Sequence, residues 1–135
     1  MTQADNPGPG RVLLIEDEPN IATALTFILQ REGWRVWAHP DGMTALDAVN
    51  RHLPDIVVLD VMLPGKSGFE VLAEIRNSAR PDLPVLMLTA KGQTKDRERA
   101  EALGVSRFMT KPFSNAELLA AVAALAGAPV ADRAE

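Results

Sequence analysis

The sequence predicts an α/β domain built on one doubly wound parallel sheet. Two observations carry that prediction: strand-like and helix-like segments alternate five times, and three of the strand segments are unbroken aliphatic runs. Such runs suit strands buried on both faces, and right-handed crossovers then place helices on either side of the sheet.

The first strand is Arg11-Val12-Leu13-Leu14-Ile15, after which Ile21, Leu25, Ile28 and Leu29 recur at helical spacing until Gly33 supplies a stop. The second unit is a strand over 35–39 and a helix over 43–51. Arg35-Val36-Trp37-Ala38-His39 alternates in polarity, so it reads as a half-solvated edge strand. The third unit pairs 56–60 with a helix over 68–77. The fourth pairs 85–89 with a helix over 94–103, which Gly104 ends. The last strand covers 107–110, and its helix opens at Ser114, where Ser114 and Glu117 have capping-box spacing. Residues 1–10 and 127–135 read as disordered tails around a single domain over 11–126. Trp34 and Trp37 read as packing around the second strand. His39 and His52 lack ligand-like spacing and are expected to face solvent.

Composition narrows the function. A chain of 135 residues is long enough for one well-buried core, and the absence of cysteine removes disulfides and thiolate metal sites. Met1 to Gly10 holds no basic region followed by an apolar run, and no stretch reaches the roughly 20 apolar residues of a membrane span. The expectation is a cytoplasmic protein with no membrane partner. A formal charge of −4, with two Trp, four Phe and no Tyr, also argues against direct nucleic-acid binding.

Open parallel sheets put their sites at the carboxyl ends of the strands. Glu16 and Asp17 end the first strand, Asp60 the third, Thr89 the fourth and Lys111 the fifth. Asp60 closes a buried run, Ile56-Val57-Val58-Leu59, where a carboxylate is costly unless paired, metal-bound or chemically used. At about 4 Å, each like-charge pair costs on the order of 1–4 kcal/mol. A hard divalent cation removes that penalty, and Mg²⁺ takes a few carboxylates, waters and a phosphate oxygen. Three carboxylates, such a cation and the Lys111 ammonium sum to zero charge, so a phosphoryl group could be accepted.

Each residue has a plainer reading in isolation. Asp17 or Glu18, before Pro19, would cap the first helix; Asp60 would open a turn toward Pro64-Gly65. Thr89 would be an ordinary β-branched strand residue, Phe108 core and Lys111 surface. Only their joint placement favours a site.

Leu13-Leu14-Ile15-Glu16-Asp17-Glu18-Pro19, Val57-Val58-Leu59-Asp60-Val61-Met62-Leu63-Pro64-Gly65, Leu88-Thr89-Ala90-Lys91 and Thr110-Lys111-Pro112-Phe113 resemble the receiver domain of two-component response regulators. The resemblance covers 11–125, and four motifs in order, at the family's separations, are far more specific than any one. It implies a three-layer (βα)5 flavodoxin-like fold with strand order 2-1-3-4-5. Asp60 would be the phosphoacceptor, receiving a phosphoryl group from a sensor histidine kinase or a histidine phosphotransfer protein. Glu16, Asp17, Asp60 and the Met62 backbone carbonyl would hold Mg²⁺, or Mn²⁺ in its place. Thr89 and Lys111 would contact the phosphoryl oxygens, and Thr89 and Phe108 would form the switch. The Lys111–Pro112 bond is expected to be cis. The signal would leave through the fourth helix, fifth strand and fifth helix toward a downstream protein. The resemblance implies a signalling protein rather than an enzyme in the usual sense, stand-alone, and a monomer or weak phosphorylation-dependent dimer. Two positions depart from the commonest pattern: Glu16 stands where Asp is usual, and Phe108 where Tyr is common. The positions of Met62 and Lys91 tune phosphoryl lifetime in the family.

Other readings compete. A flavodoxin-type FMN site needs Ser, Thr or Gly to cradle phosphate in the first loop, where Glu16-Asp17-Glu18 would repel one. Aspartyl-nucleophile phosphatases usually carry a second Asp or Thr where Met62 stands. A receiver-like interaction module that takes no phosphoryl group is the remaining alternative.

Overall fold

The alternation read from the sequence closes into five strand-and-helix units in a computed structural model that describes residues 10–90 and 94–127. The elements run β1 Arg11–Ile15, α1 Pro19–Arg31, β2 Arg35–His39, α2 Ala45–His52, β3 Ile56–Asp60, α3 Gly68–Arg76, β4 Val85–Thr89, α4 Thr94–Ala102, β5 Arg107–Thr110 and α5 Asn115–Val122. The strands form one parallel sheet in the order β2-β1-β3-β4-β5. This is the doubly wound, flavodoxin-like topology, with β2 as the half-exposed edge.

Alternate strand residues face opposite helix layers, because side chains change face at every step. Leu13, Ile15, Val57, Leu59, Val85 and Met87 pack with α2 and α3. Val12, Leu14, Ile56, Val58, Leu86 and Leu88 pack with Leu25 and Leu29 of α1 and Leu118 and Val122 of α5. Full burial of such side chains contributes about 1.5–3 kcal/mol each. The sheet is thereby the stiff platform on which the strand ends are mounted.

Local chemistry sets the boundaries. Glu18 caps α1, accepting from the Asn20 N–H at 3.2 Å, with Pro19 at the first helical position. Ser67 and Glu70 form a capping box on α3, and Ser114 and Glu117 form the expected one on α5. Helix α2 starts two residues later than expected, since Asp41 accepts both the Thr44 N–H and its hydroxyl and holds the chain in a turn. The last helix ends at Val122 and continues as a wider π-helical turn, Ala123–Gly127, that seats Ala126 against the core. Of the two expected tails, 1–9 and 128–135 lie outside the described residues, as does Lys91.

The histidines differ from expectation. Both are half-buried rather than solvent-facing: His52 stacks on Trp37 at 4.9 Å between ring centroids, and His39 Nε2 lies 2.7 Å from the Thr44 hydroxyl. Trp37 projects from the edge strand and offers His52 a ring to cover, which a pattern of ligand spacings cannot reveal.

Candidate phosphoacceptor and metal site

Strands β1 and β3 are direct neighbours, with Ile15 opposite Leu59, so the residues that follow emerge side by side. One carboxylate oxygen from each of Glu16, Asp17 and Asp60 lies within 4.8 Å of the other two. Glu16 is 4 % exposed and Asp60 8 %, whereas Asp17 faces solvent. The site thus combines two buried acids with one at the surface.

Glu16 is held by its surroundings. Its N–H donates to the His39 carbonyl at 3.0 Å, and its Oε2 accepts from the Glu18 N–H at 3.0 Å. Its Oε1 is buried without a hydrogen-bond partner, and the Lys111 Nζ stands 4.0 Å away. Burial pushes the Glu16 carboxyl above its ordinary range. The Glu18 amide and Lys111 pull it back, and the Asp60 and Asp17 charges add to the rise. Burial likewise raises Asp60, opposed by Lys111 and by the Val61 and Met62 amides and reinforced by Asp17. The fold therefore holds these acids where their charged forms are under-compensated. An all-oxygen donor set with one buried, unpartnered oxygen suits a hard divalent cation.

The backbone around Asp60 is tightly fixed. The Val61 N–H donates to the Leu88 carbonyl at 3.0 Å, and the Gly68 N–H returns to the Val61 carbonyl at 2.8 Å. Gly68 packs so closely that a Cβ there would collide with the Asp60 carbonyl oxygen. Gly65, at φ +80°, turns the intervening loop, and Met62 on that loop is 74 % exposed. Thr89 ends β4 beside β3 and is 4 % exposed; its carbonyl accepts the Lys111 N–H at 2.7 Å. The Lys111–Pro112 bond is cis.

A family model described as the response regulator receiver domain matches residues 12–123. The chain belongs to the response regulator receiver family. Among its relatives, the "Probable transcriptional regulatory protein TcrX" of Mycobacterium tuberculosis is 44 % identical over 93 % of this chain and 53 % of that protein. The receiver thus spans about half the length of this curated relative. Among solved structures, the receiver domain of sensor histidine kinase PA1611 from Pseudomonas aeruginosa PAO1, with magnesium coordinated in its active-site cleft, is 31 % identical. It has a TM-score of 0.81 and covers 87 % of this chain and 98 % of that one. The chemotaxis protein CheY4 of Vibrio cholerae is 28 % identical with a TM-score of 0.80, over 85 % and 97 % of the two chains.

Glu16, Asp17, Asp60 and Lys111 thus gather at one strand edge of the receiver, with Thr89 on the neighbouring strand end. Phe108 is set apart: it lies opposite Met87 in β5, buried in the core, with the Arg97 guanidinium 5.1 Å over its ring. Sequence reasoning missed the bond from the Glu18 amide to Glu16, and it missed Gly68. The second had a signal, since a glycine opening a helix directly after its Ser cap marks a close approach.

Proposed function

We propose that this receiver is a phosphoacceptor: Asp60 takes a phosphoryl group, and the state of Asp60 sets what the α4-β5-α5 face binds. The observation that carries this reading is the pair of buried acids, Glu16 and Asp60, left under-compensated beside Lys111. A fold retains such charge where it is chemically used.

Asp60 is the nucleophile. One of its carboxylate oxygens forms a bond to phosphorus as the phosphorus–nitrogen bond of a phosphohistidine breaks. The imidazole nitrogen keeps that electron pair and takes a proton. The donor is a sensor histidine kinase or a histidine phosphotransfer protein, acting in the cytoplasm. Glu16, Asp17, Asp60 and the Met62 carbonyl would hold Mg²⁺ or Mn²⁺, which would supply positive charge to offset that of the phosphoryl oxygens. Lys111 supplies the fixed positive charge on the other side, and Thr89 donates its hydroxyl to the new aspartyl phosphate. Catalysis is positioning and electrostatics, so the chain works as a signalling protein that modifies itself. The output is a downstream protein target.

Intact-mass measurement after incubation with Mg²⁺ and acetyl phosphate should show one added phosphoryl group, labile to base. It should vanish with chelator and in Asp60→Asn. An adduct persisting in Asp60→Asn would reassign the acceptor; no adduct from acetyl phosphate or from purified histidine kinases would leave an interaction module that takes no phosphoryl group.

A further inference from the structure

Helix α4 has little hydrophobic anchor before its end, where Leu103 donates its N–H to the Arg99 and Ala100 carbonyls and packs partly buried against the core. Its sequence, Thr-Lys-Asp-Arg-Glu-Arg-Ala-Glu-Ala, buries Ala100 alone, whereas α3 buries Phe69, Val71, Leu72 and Ile75. A helix without an apolar stripe must be held by something else. Two arginines do this. Arg97 lies over the Phe108 ring at 5.1 Å, and Arg99 lies over the Phe69 ring at 4.3 Å. Both rings are buried, one in β5 and the other in the first turn of α3. Residues two apart on a helix point about 200° away from each other. The two guanidinium groups therefore reach to opposite flanks, and α4 straddles the body with Ala100 as its seat.

The two rings report on different parts of the site. Phe69 follows Gly68, which packs on the Asp60 carbonyl. Phe108 lies opposite Met87, two residues before Thr89, and precedes Lys111 by three. Since the Phe108 ring is already in the core, Arg97 on its outer side is the part free to move.

We infer that the first two turns of α4 are a detachable element, docked by two guanidinium-over-ring clamps and hinged on Ala100 and Leu103, and that Arg97 and Arg99 set how α4 is presented on the signalling face. Opening a clamp gives up one cation–π contact and returns a guanidinium to water. The β-sheet and the Phe69 and Phe108 rings stay packed. The link to signalling rests on the phosphoacceptor reading, and the clamps themselves do not.

Hydrogen–deuterium exchange of the full chain separates the two. Without ligand, Arg97→Gln and Arg99→Gln should each speed exchange over 94–103 by about twofold to fivefold, the effect of losing one exposed cation–π contact. In the double variant the effects should multiply, because the clamps share no partner. Lys at either position should recover part of the protection, and exchange in β1 and β3 should not change. Unchanged α4 exchange in the double variant, or acceleration spread evenly over the chain, overturns the inference. Mg²⁺ with beryllofluoride, a mimic of aspartyl phosphate, should raise α4 exchange in the native chain and add nothing in the double variant. An equal rise in both would remove the clamps from the signalling path. No response in the native chain, with the variants still accelerated, would keep the clamps and remove them from the signalling path, while the phosphoryl adduct on Asp60 decides the phosphoacceptor reading separately.

Discussion

Asp60 and α4, the two ends of the proposed signalling route, are built in opposite ways. Around Asp60 everything is fixed by backbone: strand register, the Gly68 N–H on the Val61 carbonyl, and a helix start that leaves no room for a Cβ. Around α4 almost nothing is, and long polar side chains reaching over rings take the place of packed apolar ones. The first region must hold three like charges within a few ångströms, which only a stiff frame permits. The second gains from being loosely attached, since elements that change on signalling come from the least stable part of a fold. On the proposed function, charge is stored where the molecule is rigid and would be read out where it is not.

The sharpest way to break that contrast is at Gly68. In Gly68→Ala the new methyl meets the Asp60 carbonyl, so either the end of β3 or the start of α3 must shift. Helix propensity favours Ala over Gly, yet overpacking against backbone costs about 1–3 kcal/mol and should win. Urea unfolding should show a loss of that size, and isothermal titration should show weaker Mg²⁺ binding. A variant as stable as the parent would mean that the frame around Asp60 yields.

Next comes the stored charge itself. Glu16 and Asp60 have pKa values raised above their unfolded values, so the stability this pair contributes is fully present below the ordinary carboxylate range. It is lost as pH rises through the raised values. At neutral pH, without metal, the pair destabilises the fold. Asp60→Asn should therefore raise metal-free stability at pH 7, by about 1 kcal/mol if one like-charge contact is relieved. The gain should shrink on acidification. Mg²⁺ should stabilise the native chain more at pH 7 than at pH 5, because its ligands must be deprotonated. Thermal unfolding across that range with and without Mg²⁺ reads both effects; a gain in Asp60→Asn that ignores pH would place its origin elsewhere.

Much of this was legible in the sequence, and the reason is periodicity and position. The unbroken runs of β1, β3 and β4 announce central parallel strands, and their order follows once the alternation with helices is seen. The acids and Lys111 are legible because a parallel sheet sends its strand ends to one edge. The arrangement of α4 was not. Its residues carry no apolar period, so the pattern that locates a helix says nothing about what holds it, and a guanidinium over a ring leaves no spacing to read. Phe108 lies in the strand read for it, but the Arg97 guanidinium over its buried ring comes from another element and leaves no spacing to read. His52 on Trp37 is the same kind of contact between elements.

The smallest expected effect tests α4 most directly. Ala100 in α4 and Ala121 in α5 are both fully buried alanines facing the sheet layers. In a close-packed interior, enlarging either to Leu forces neighbours off their preferred positions, at about 1–3 kcal/mol. Helix α5 cannot avoid that cost, because Leu118, Ala121 and Val122 together lock it to the core. Helix α4 can in part, since lifting its first turns surrenders two surface clamps and the Ala100 contact while Leu103 keeps its end on the core. The penalty for Ala100→Leu is therefore capped near the free energy of undocking α4, about 1–2 kcal/mol if each clamp contributes about 0.5–1 kcal/mol, and should be less than that for Ala121→Leu. Paired urea titrations would measure the difference. Equal costs at the two positions would show that α4 is as firmly seated as α5 and that the molecule has no loose side.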